Sequence, residues 1–235
     1  MLFRNRTDAG RRLARGLERY AGRSDVVVLA LPRGGVPVGF EIARALNAPL
    51  DVFLVRKLGV PGQEELAMGA LASGGVRVVN DALVRRLGVP AAMIEEVAAK
   101  EERELERRER AYRGGEPPLP VAGRTVILVD DGLATGASMQ AAAMALKRLG
   151  PARIVAAVPV GAAETCADLR DIVDEIVCAE TPEPFWAVGN WYDDFSQTAD
   201  EEVRSLLTLA RAQTREPAPA PGSEGLREPE HARSR

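Results

Sequence analysis

Apolar positions along this chain follow two rhythms. Between residues 7 and 21 they recur every three or four places, with Leu13, Leu17 and Tyr20 on one helical face and Thr7 suited to cap the start. Residues 26–31 are instead one unbroken apolar run, rich in valine, as in a strand covered on both faces. The alternation continues with a helix predicted over 36–47 and a strand over 50–55. Two short runs, 68–71 and 76–79, flank Gly74-Gly75 as the arms of a hairpin would. A long charged helix is predicted over 91–112, a buried strand over 125–129, and a helix over 137–149 that Gly150-Pro151 stops. A strand at 154–158, a short helix at 162–171 and a strand at 175–177 complete the pattern. Strands separated by such helices require right-handed crossovers, so the expected class is α/β, with a mostly parallel central sheet flanked by helices. Ligands of such sheets bind beyond the carboxyl ends of the strands, which directs attention to the junctions 31–37, 55–65 and 129–138.

Residues 1–212 read as one domain. The segment 213–235 carries four prolines and one large aliphatic residue, Leu226, too little to offset the entropy of ordering, so a disordered tail is expected. In 235 residues, 31 Lys and Arg meet 34 Asp and Glu, a net charge of −3. No broad basic surface follows, and no nucleic-acid partner is expected. The apolar runs fall well short of the roughly 20 residues of a membrane span. The first residues, MLFRNRTDAGRR, lack the apolar centre of a signal peptide. No membrane partner is expected, and the location read from these signs is cytoplasmic. Cys166 and Cys178 are too few for a disulfide framework or a four-thiolate metal site and read as small core residues. The one histidine, His231, lies in the tail, which excludes a histidine base from the folded part. The charge run of the long helix reads as a solvated face laced with Glu–Lys and Glu–Arg pairs four residues apart.

The junction after the third buried strand reads VILVDDGLATGASM, from Val126 to Met139. Small residues opening a helix expose several backbone N–H groups, and the helix dipole adds about half a positive charge. Thr135 and Ser138 add hydroxyl donors, which makes a cradle for one phosphate. Asp130 and Asp131 directly before it would repel that anion unless donors or a cation meet them; sugar hydroxyls and Mg²⁺ are such partners. A sugar phosphate, with its diol on the acids and its phosphate in the loop, satisfies all these groups.

This stretch resembles the phosphoribosyl-pyrophosphate (PRPP) binding motif of type I phosphoribosyltransferases: a hydrophobic strand, two acids, two further residues, then a small-Thr-Gly-x-Ser/Thr loop. The resemblance implies that fold, with a small hood formed by the chain's two ends and a hairpin-bearing flexible loop. It implies that Asp130 and Asp131 hold the ribose 2′- and 3′-hydroxyls and Mg²⁺, the latter directly or through water. Ala134, Thr135, Gly136, Ala137 and Ser138 would hold the 5′-phosphate. In hypoxanthine–guanine relatives the position of Ala134 is an aspartate near the purine, so alanine here counts against that type of enzyme and fits adenine-like and orotate-like loops better.

The first junction, Pro32-Arg33-Gly34-Gly35, matches the family's pyrophosphate loop, which often has a strained or cis peptide; Arg33, Gly34 and Gly35 take that role. Arg56 and Lys57 begin a stretch resembling the mobile loop of adenine phosphoribosyltransferases, expected over 57–67. By that resemblance both cations meet the departing pyrophosphate, and Arg33 and Lys57 join the two acids in catalysis. Each cation within about 4 Å contributes roughly 4 kcal/mol at an effective dielectric near 20, before desolvation. Glu64 and Glu65 of the same loop are open candidates for moving a proton at the base. Phe185 and Trp186, in a cluster of five aromatics, are the candidate wall against the nucleobase. The implied activity is transfer of the 5-phosphoribosyl group from PRPP to a nucleobase or similar nitrogen nucleophile by a homodimer. The alternative is a PRPP-binding regulator with little or no transferase activity. A sugar-phosphate hydrolase is disfavoured, since no paired nucleophile and base occurs.

Overall fold

The computed structural model describes residues 2–215, without the side chains of Glu65, Thr214 and Arg215. Its centre is a five-stranded parallel sheet built from β1 (Val26–Ala30), β2 (Leu50–Val52), β6 (Thr125–Val129), β7 (Arg153–Val160) and β8 (Glu175–Glu180), in the order β2-β1-β6-β7-β8. The strands VVVLA and TVILV are buried at every position because helices cover both faces. On one face pack α1 (Arg6–Arg15), α2 (Gly35–Leu46), α7 (Asp200–Arg215) and the end of α4 (Ala91–Arg113), around Leu13, Ile42, Leu105, Tyr112 and Leu207. On the other lie α5 (Ala137–Arg148) and α6 (Ala163–Leu169), around Met139, Leu146 and Leu169.

The strand order places the reversal point at the β1–β6 pair. From β1 the chain passes outward to β2, then returns to lay β6 on the opposite side of β1, in register from Val26↔Thr125 to Ala30↔Val129. The connections leaving β1 and β6 therefore diverge and open a crevice at their carboxyl ends. Of the three junctions expected to matter, 31–37 and 129–138 flank that crevice.

A second, antiparallel sheet of β3 (Val55–Val60), β4 (Gln63–Ala72) and β5 (Val76–Val79) has its own apolar cluster, in which Leu58, Met68 and Leu71 meet Ile94 and Ala98 of α4 and Leu83 of α3 (Asp81–Leu87). Here the structure corrects the sequence reading. The strand expected over 50–55 stops at Val52, and the expected loop 57–67 is the β3–β4 hairpin, with Lys57 opposite Ala70 and a turn at Pro61-Gly62, where Gly62 has φ +79°. The expected hairpin at Gly74-Gly75 is present as β4–β5. At the start of the chain, Asn5 rather than Thr7 caps α1, accepting from the Asp8 N–H at 2.9 Å, and α1 ends at Arg15 before a separate 3-10 turn at Glu18–Tyr20. Helix α7 continues through Arg215, past the boundary expected at 212; the rest of the expected tail lies outside the described residues.

The charge run on α4 is only partly a solvated face. Glu104–Arg108 and Glu109–Arg113 pair at 2.7 and 2.9 Å, but Arg113 is buried. Its Nε donates to both carboxylate oxygens of buried Asp51, at 3.1 and 3.0 Å, and its Nη2 to the Val52 carbonyl at 2.9 Å. Asp51 also accepts from the N–H groups of Val52 and Leu119. This fork ties the end of α4 to β2 at the edge of the main sheet. Removing the cation leaves a buried carboxylate without its counter-charge, a loss of about 3–5 kcal/mol. Arg113→Met is accordingly expected to lower unfolding free energy in urea by that amount; a change below about 1 kcal/mol would show that the pair does not anchor the helix.

Candidate functional site

The crevice is lined first by the step Asp130-Asp131 at the end of β6. The Asp131 N–H donates to Asp130 Oδ1 at 2.9 Å, and the preceding Val129 carbonyl accepts from the Leu31 N–H at 2.8 Å. The turn leaving β1 thus lies against the acids. Its Pro32–Arg33 peptide is cis, and Gly34 opens α2. Gly34 and Gly35 are there for space, since both lack the positive φ that would otherwise call for glycine. A methyl on Gly34 would land on the Asp131 carboxylate, and one on Gly35 would sit 2.7 Å from the Val129 carbonyl and 3.0 Å from Asp130 Cα. The bare backbone of this turn lies on the acid step.

Two negative groups so close raise each other's energy. Burial, and secondly the charge of Asp131, hold the Asp130 carboxyl well above the ordinary carboxylate range. Asp131 is answered by Arg6 of α1, whose Nε donates to Asp131 Oδ2 at 2.7 Å. Arg6 is itself held by the Ser196 carbonyl at 2.7 Å and by the Phe195 ring, 4.0 Å from the guanidinium carbon. One turn further along α1, Gly10 permits the approach that puts Arg6 there; a methyl at Gly10 would meet the Val38 carbonyl of α2 at 2.8 Å. The Tyr192 hydroxyl donates to the Asp131 carbonyl at 2.5 Å. Sequence reading missed Arg6 and Tyr192, since both reach Asp131 from distant parts of the chain.

Beyond the acids the loop is held by Leu133 and by its carbonyls. Leu133 is fixed in both directions, donating to Val160 and accepting from Ala162 at 2.9 Å each. The Thr165 hydroxyl on α6 donates to the Ala134 carbonyl at 2.7 Å. Gly136 caps α5 with φ +72°, a conformation other residues rarely adopt. The N–H groups of Ala134, Thr135, Gly136, Ala137 and Ser138 donate to no protein group among the described residues, and Thr135 and Ser138 are exposed. Five amides without a protein acceptor thus stand at the positive end of a twelve-residue helix, a place that chemically suits an anion.

The two ends of the chain form a hood beside this step. Leu2 and Phe3 donate to the Trp191 carbonyl, and Asp193 donates back to Phe3. Gly132 lies against Val188 of the hood, where a methyl would overlap the valine side chain. Phe185 packs on Trp191, with ring centroids 6.3 Å apart, whereas Trp186 is 77% exposed.

The expected cations are placed less directly. The Arg33 backbone is at the acids, but its guanidinium points toward Asp200 of α7, 3.8 Å away, where Tyr112 also donates to Asp200. Arg56 is turned onto α4, its Nε donating to Glu101 at 2.7 Å, and no contact with the acids is formed. Lys57 is exposed beside Arg56 in a groove of about 690 Å³ between the β3–β4 hairpin and α4. Glu64 is turned to its own hairpin, accepting from Gly62, and backbone hydrogen bonds hold its carboxyl below the ordinary range. The side chain of Glu65 lies outside the described residues. Among the described residues no group of three or more His, Cys, Asp or Glu side chains could hold a metal ion by itself, and no helix is long and apolar enough to cross a membrane.

Comparison with known proteins adds an independent line. The sequence pattern of the phosphoribosyl transferase domain matches residues 62–194. A Mycobacterium tuberculosis protein named as a phosphoribosyl transferase is 49% identical over 209 residues, covering 89% of this chain and 47% of that protein. The chain therefore spans about half the length of that relative. A Chloroflexus aurantiacus protein named bifunctional protein PyrR is 32% identical over 146 residues, 61% of this chain and 72% of that one. Among solved structures, TT1426 from Thermus thermophilus superposes with a TM-score of 0.79 at 43% identity, over 88% of this chain and 98% of that one.

The raised Asp130 pKa has a stability consequence of definite sign. The folded chain keeps a proton that the unfolded chain releases, so this group's contribution is fully present below the ordinary carboxylate range and is lost as pH rises toward the raised value. Asp130→Asn keeps the acceptor for the Asp131 N–H and removes the half-buried charge. The variant is expected to melt about 3 °C or more above the parent at pH 7.5, the shift that roughly 1 kcal/mol produces in a chain of this size. The gap should narrow as pH is lowered to 4.5. A variant melting below the parent at pH 7.5 would show that the carboxylate is well stabilised where it stands.

Proposed function

The chain belongs to the phosphoribosyltransferase family, and we propose that its acid step and amide-lined loop grip PRPP and pass the 5-phosphoribosyl group to a nucleobase or similar nitrogen nucleophile, releasing pyrophosphate. The reading rests on one observation: two carboxylates and a row of unspent amides stand at the end of one strand. The ribose 2′- and 3′-hydroxyls donate to Asp130 and Asp131, which relieves the half-buried acid. The 5′-phosphate accepts from the amides of Ala134 to Ser138 and from the Thr135 and Ser138 hydroxyls. The turn at Arg33, Gly34 and Gly35, which lies against the acids, would meet the pyrophosphate.

Mg²⁺ fits this donor set as a partner carried by substrate. The chain offers two adjacent carboxylates, one of them half-buried at a cost, and no complete cage of its own. Asp130 and Asp131 would hold the ion, directly or through water, and its charge would offset that of the pyrophosphate. Arg33 and Lys57 would add to that charge after turning toward the acids. The tie from Arg33 to Asp200 is long and half-exposed, so it releases at little cost. Arg56 is held closer, by Glu101. The C1–O bond then breaks with its electron pair leaving on pyrophosphate. The acceptor nitrogen bonds to C1 from the opposite face and gives its proton to solvent. No protein nucleophile is required. Trp186, exposed on the hood, is the better candidate to stack on the acceptor, since Phe185 is engaged with Trp191.

A second reading, a PRPP-binding regulator, draws support from the same guanidinium placements: with Arg33 on Asp200 and Arg56 on Glu101, binding groups are assembled while leaving-group cations are turned aside. One experiment separates the readings. Titration with PRPP and Mg²⁺ should show binding. Addition of adenine, hypoxanthine, guanine, xanthine, uracil or orotate should then release pyrophosphate with at least one acceptor. Binding without release on every acceptor favours the regulator, and no binding refutes both.

Two substitutions test the assigned roles. Asp131→Asn should weaken PRPP binding or turnover at least tenfold, about 1.4 kcal/mol, with the fold intact by circular dichroism. Arg6→Gln should weaken PRPP binding while leaving Asp131 chemically unchanged, because the carboxylate loses the contact that orients it. Unaltered affinity in both variants would remove the acids from the binding site.

A further inference from the structure

The two cysteines stand on neighbouring elements, Cys166 on α6 and Cys178 on β8, and their sulfurs face one glycine. Both sulfurs border the same point beside Gly161: a methyl built there would be 2.8 Å from Cys166 Sγ and 3.3 Å from Cys178 Sγ. Gly161 has no side chain to keep them apart. The Cys178 thiol donates to the Glu180 carbonyl at 3.2 Å, and the interaction between the two neighbouring thiols holds Cys166 below its ordinary range and pushes Cys178 up.

This pair stands directly behind the loop 133–136. Leu133 bridges Gly161, and its two hydrogen bonds run to Val160 and Ala162 on either side. Glu180 accepts from the Gly161 N–H at 3.1 Å, so β8 holds the same turn. Thr165, the residue before Cys166, donates to the Ala134 carbonyl, and a methyl on Gly136 would meet its Cγ2 at 2.6 Å. Any shift of α6 toward β8 is therefore transmitted to the carbonyls and amides of that loop.

We propose that Cys166 and Cys178 are a peroxide-reactive dithiol whose oxidation to a disulfide loosens the oxyanion loop; the consequence for PRPP rests on the reading of that loop as its phosphate cradle. In the first step the Cys166 thiolate attacks hydrogen peroxide, the O–O bond breaks, and sulfenic acid and hydroxide form. In the second the Cys178 sulfur attacks the sulfenic sulfur, the S–O bond breaks, and water leaves with the Cys178 proton. Two thiols are oxidised and one peroxide is reduced to two waters. Bond formation brings the sulfurs to about 2.05 Å and draws α6 with them. A dithiol reductant restores the starting state.

The test uses the full chain, reduced and then exposed to hydrogen peroxide. Intact mass should fall by about 2 Da, free thiols should disappear, and peptide mapping should join Cys166 to Cys178, all reversed by dithiothreitol. C166S and C178S should each abolish the mass loss. Hydrogen exchange of the Leu133 and Ala162 amides, which are hydrogen-bonded in this turn, should accelerate in the oxidised protein, and PRPP affinity should fall at least fivefold. Mass gains of oxygen without a crosslink, or thiols that persist, would overturn the dithiol site. A crosslink with unchanged exchange in the loop would overturn its coupling. Failure of the reduced protein to bind PRPP would count against the phosphate reading alone, because the mass and exchange measurements need no ligand.

Discussion

Adjacent carboxylates at the end of a buried strand repel, and the surrounding structure is organised by that repulsion. Arg6 answers Asp131, the Asp131 N–H answers Asp130, and Tyr192 fixes the Asp131 carbonyl. What is left unanswered is the Asp130 charge itself, which burial keeps costly. A protein selected for stability alone would place a neutral residue there. The strain lies at the spot where the proposed sugar phosphate would dock, and its hydroxyls would supply donors to these acids.

The fold divides the work between its two sheets. The parallel sheet, covered on both faces, fixes the ends of β1 and β6 and through them the acids and amides. The antiparallel sheet, with its separate cluster around Leu58 and Met68, carries Arg56 and Lys57. On the proposed reading the first would carry the groups that bind together with Arg33, and the second would bring Arg56 and Lys57 to the departing anion. The two clusters are joined at the base of the antiparallel sheet, where Ala72 and Val76 pack with Met139 and Leu146 of the main core.

Much of this was legible in the sequence because its determinants are local. The valine-rich runs, the Gly74-Gly75 turn and the stretch from Val126 to Met139 each state their structure within a dozen residues. What stayed hidden depends on partners far along the chain. Arg6 meets Asp131 across 125 residues, and Arg113 meets Asp51 across 62, so each looked like one more surface charge. The β3–β4 hairpin read as an open loop because Gly59, Pro61 and Gly62 punctuate it, and its strands declare themselves only when paired. Helix α7 carried a usable signal, the spacing of Val203, Leu207 and Ala210, all buried against the sheet-facing helices.

The hood joins Phe3 to Tyr192, and Arg6 to Phe195 and Ser196. During synthesis, then, the opening segment must wait unpartnered until nearly the whole domain has left the ribosome. The sheet can collapse strand by strand, while the rim of the crevice closes only in a late step that joins head to tail. A nascent or prematurely terminated chain would thus hold a formed core with an unfinished binding face, and competence arrives as one of the last events of maturation.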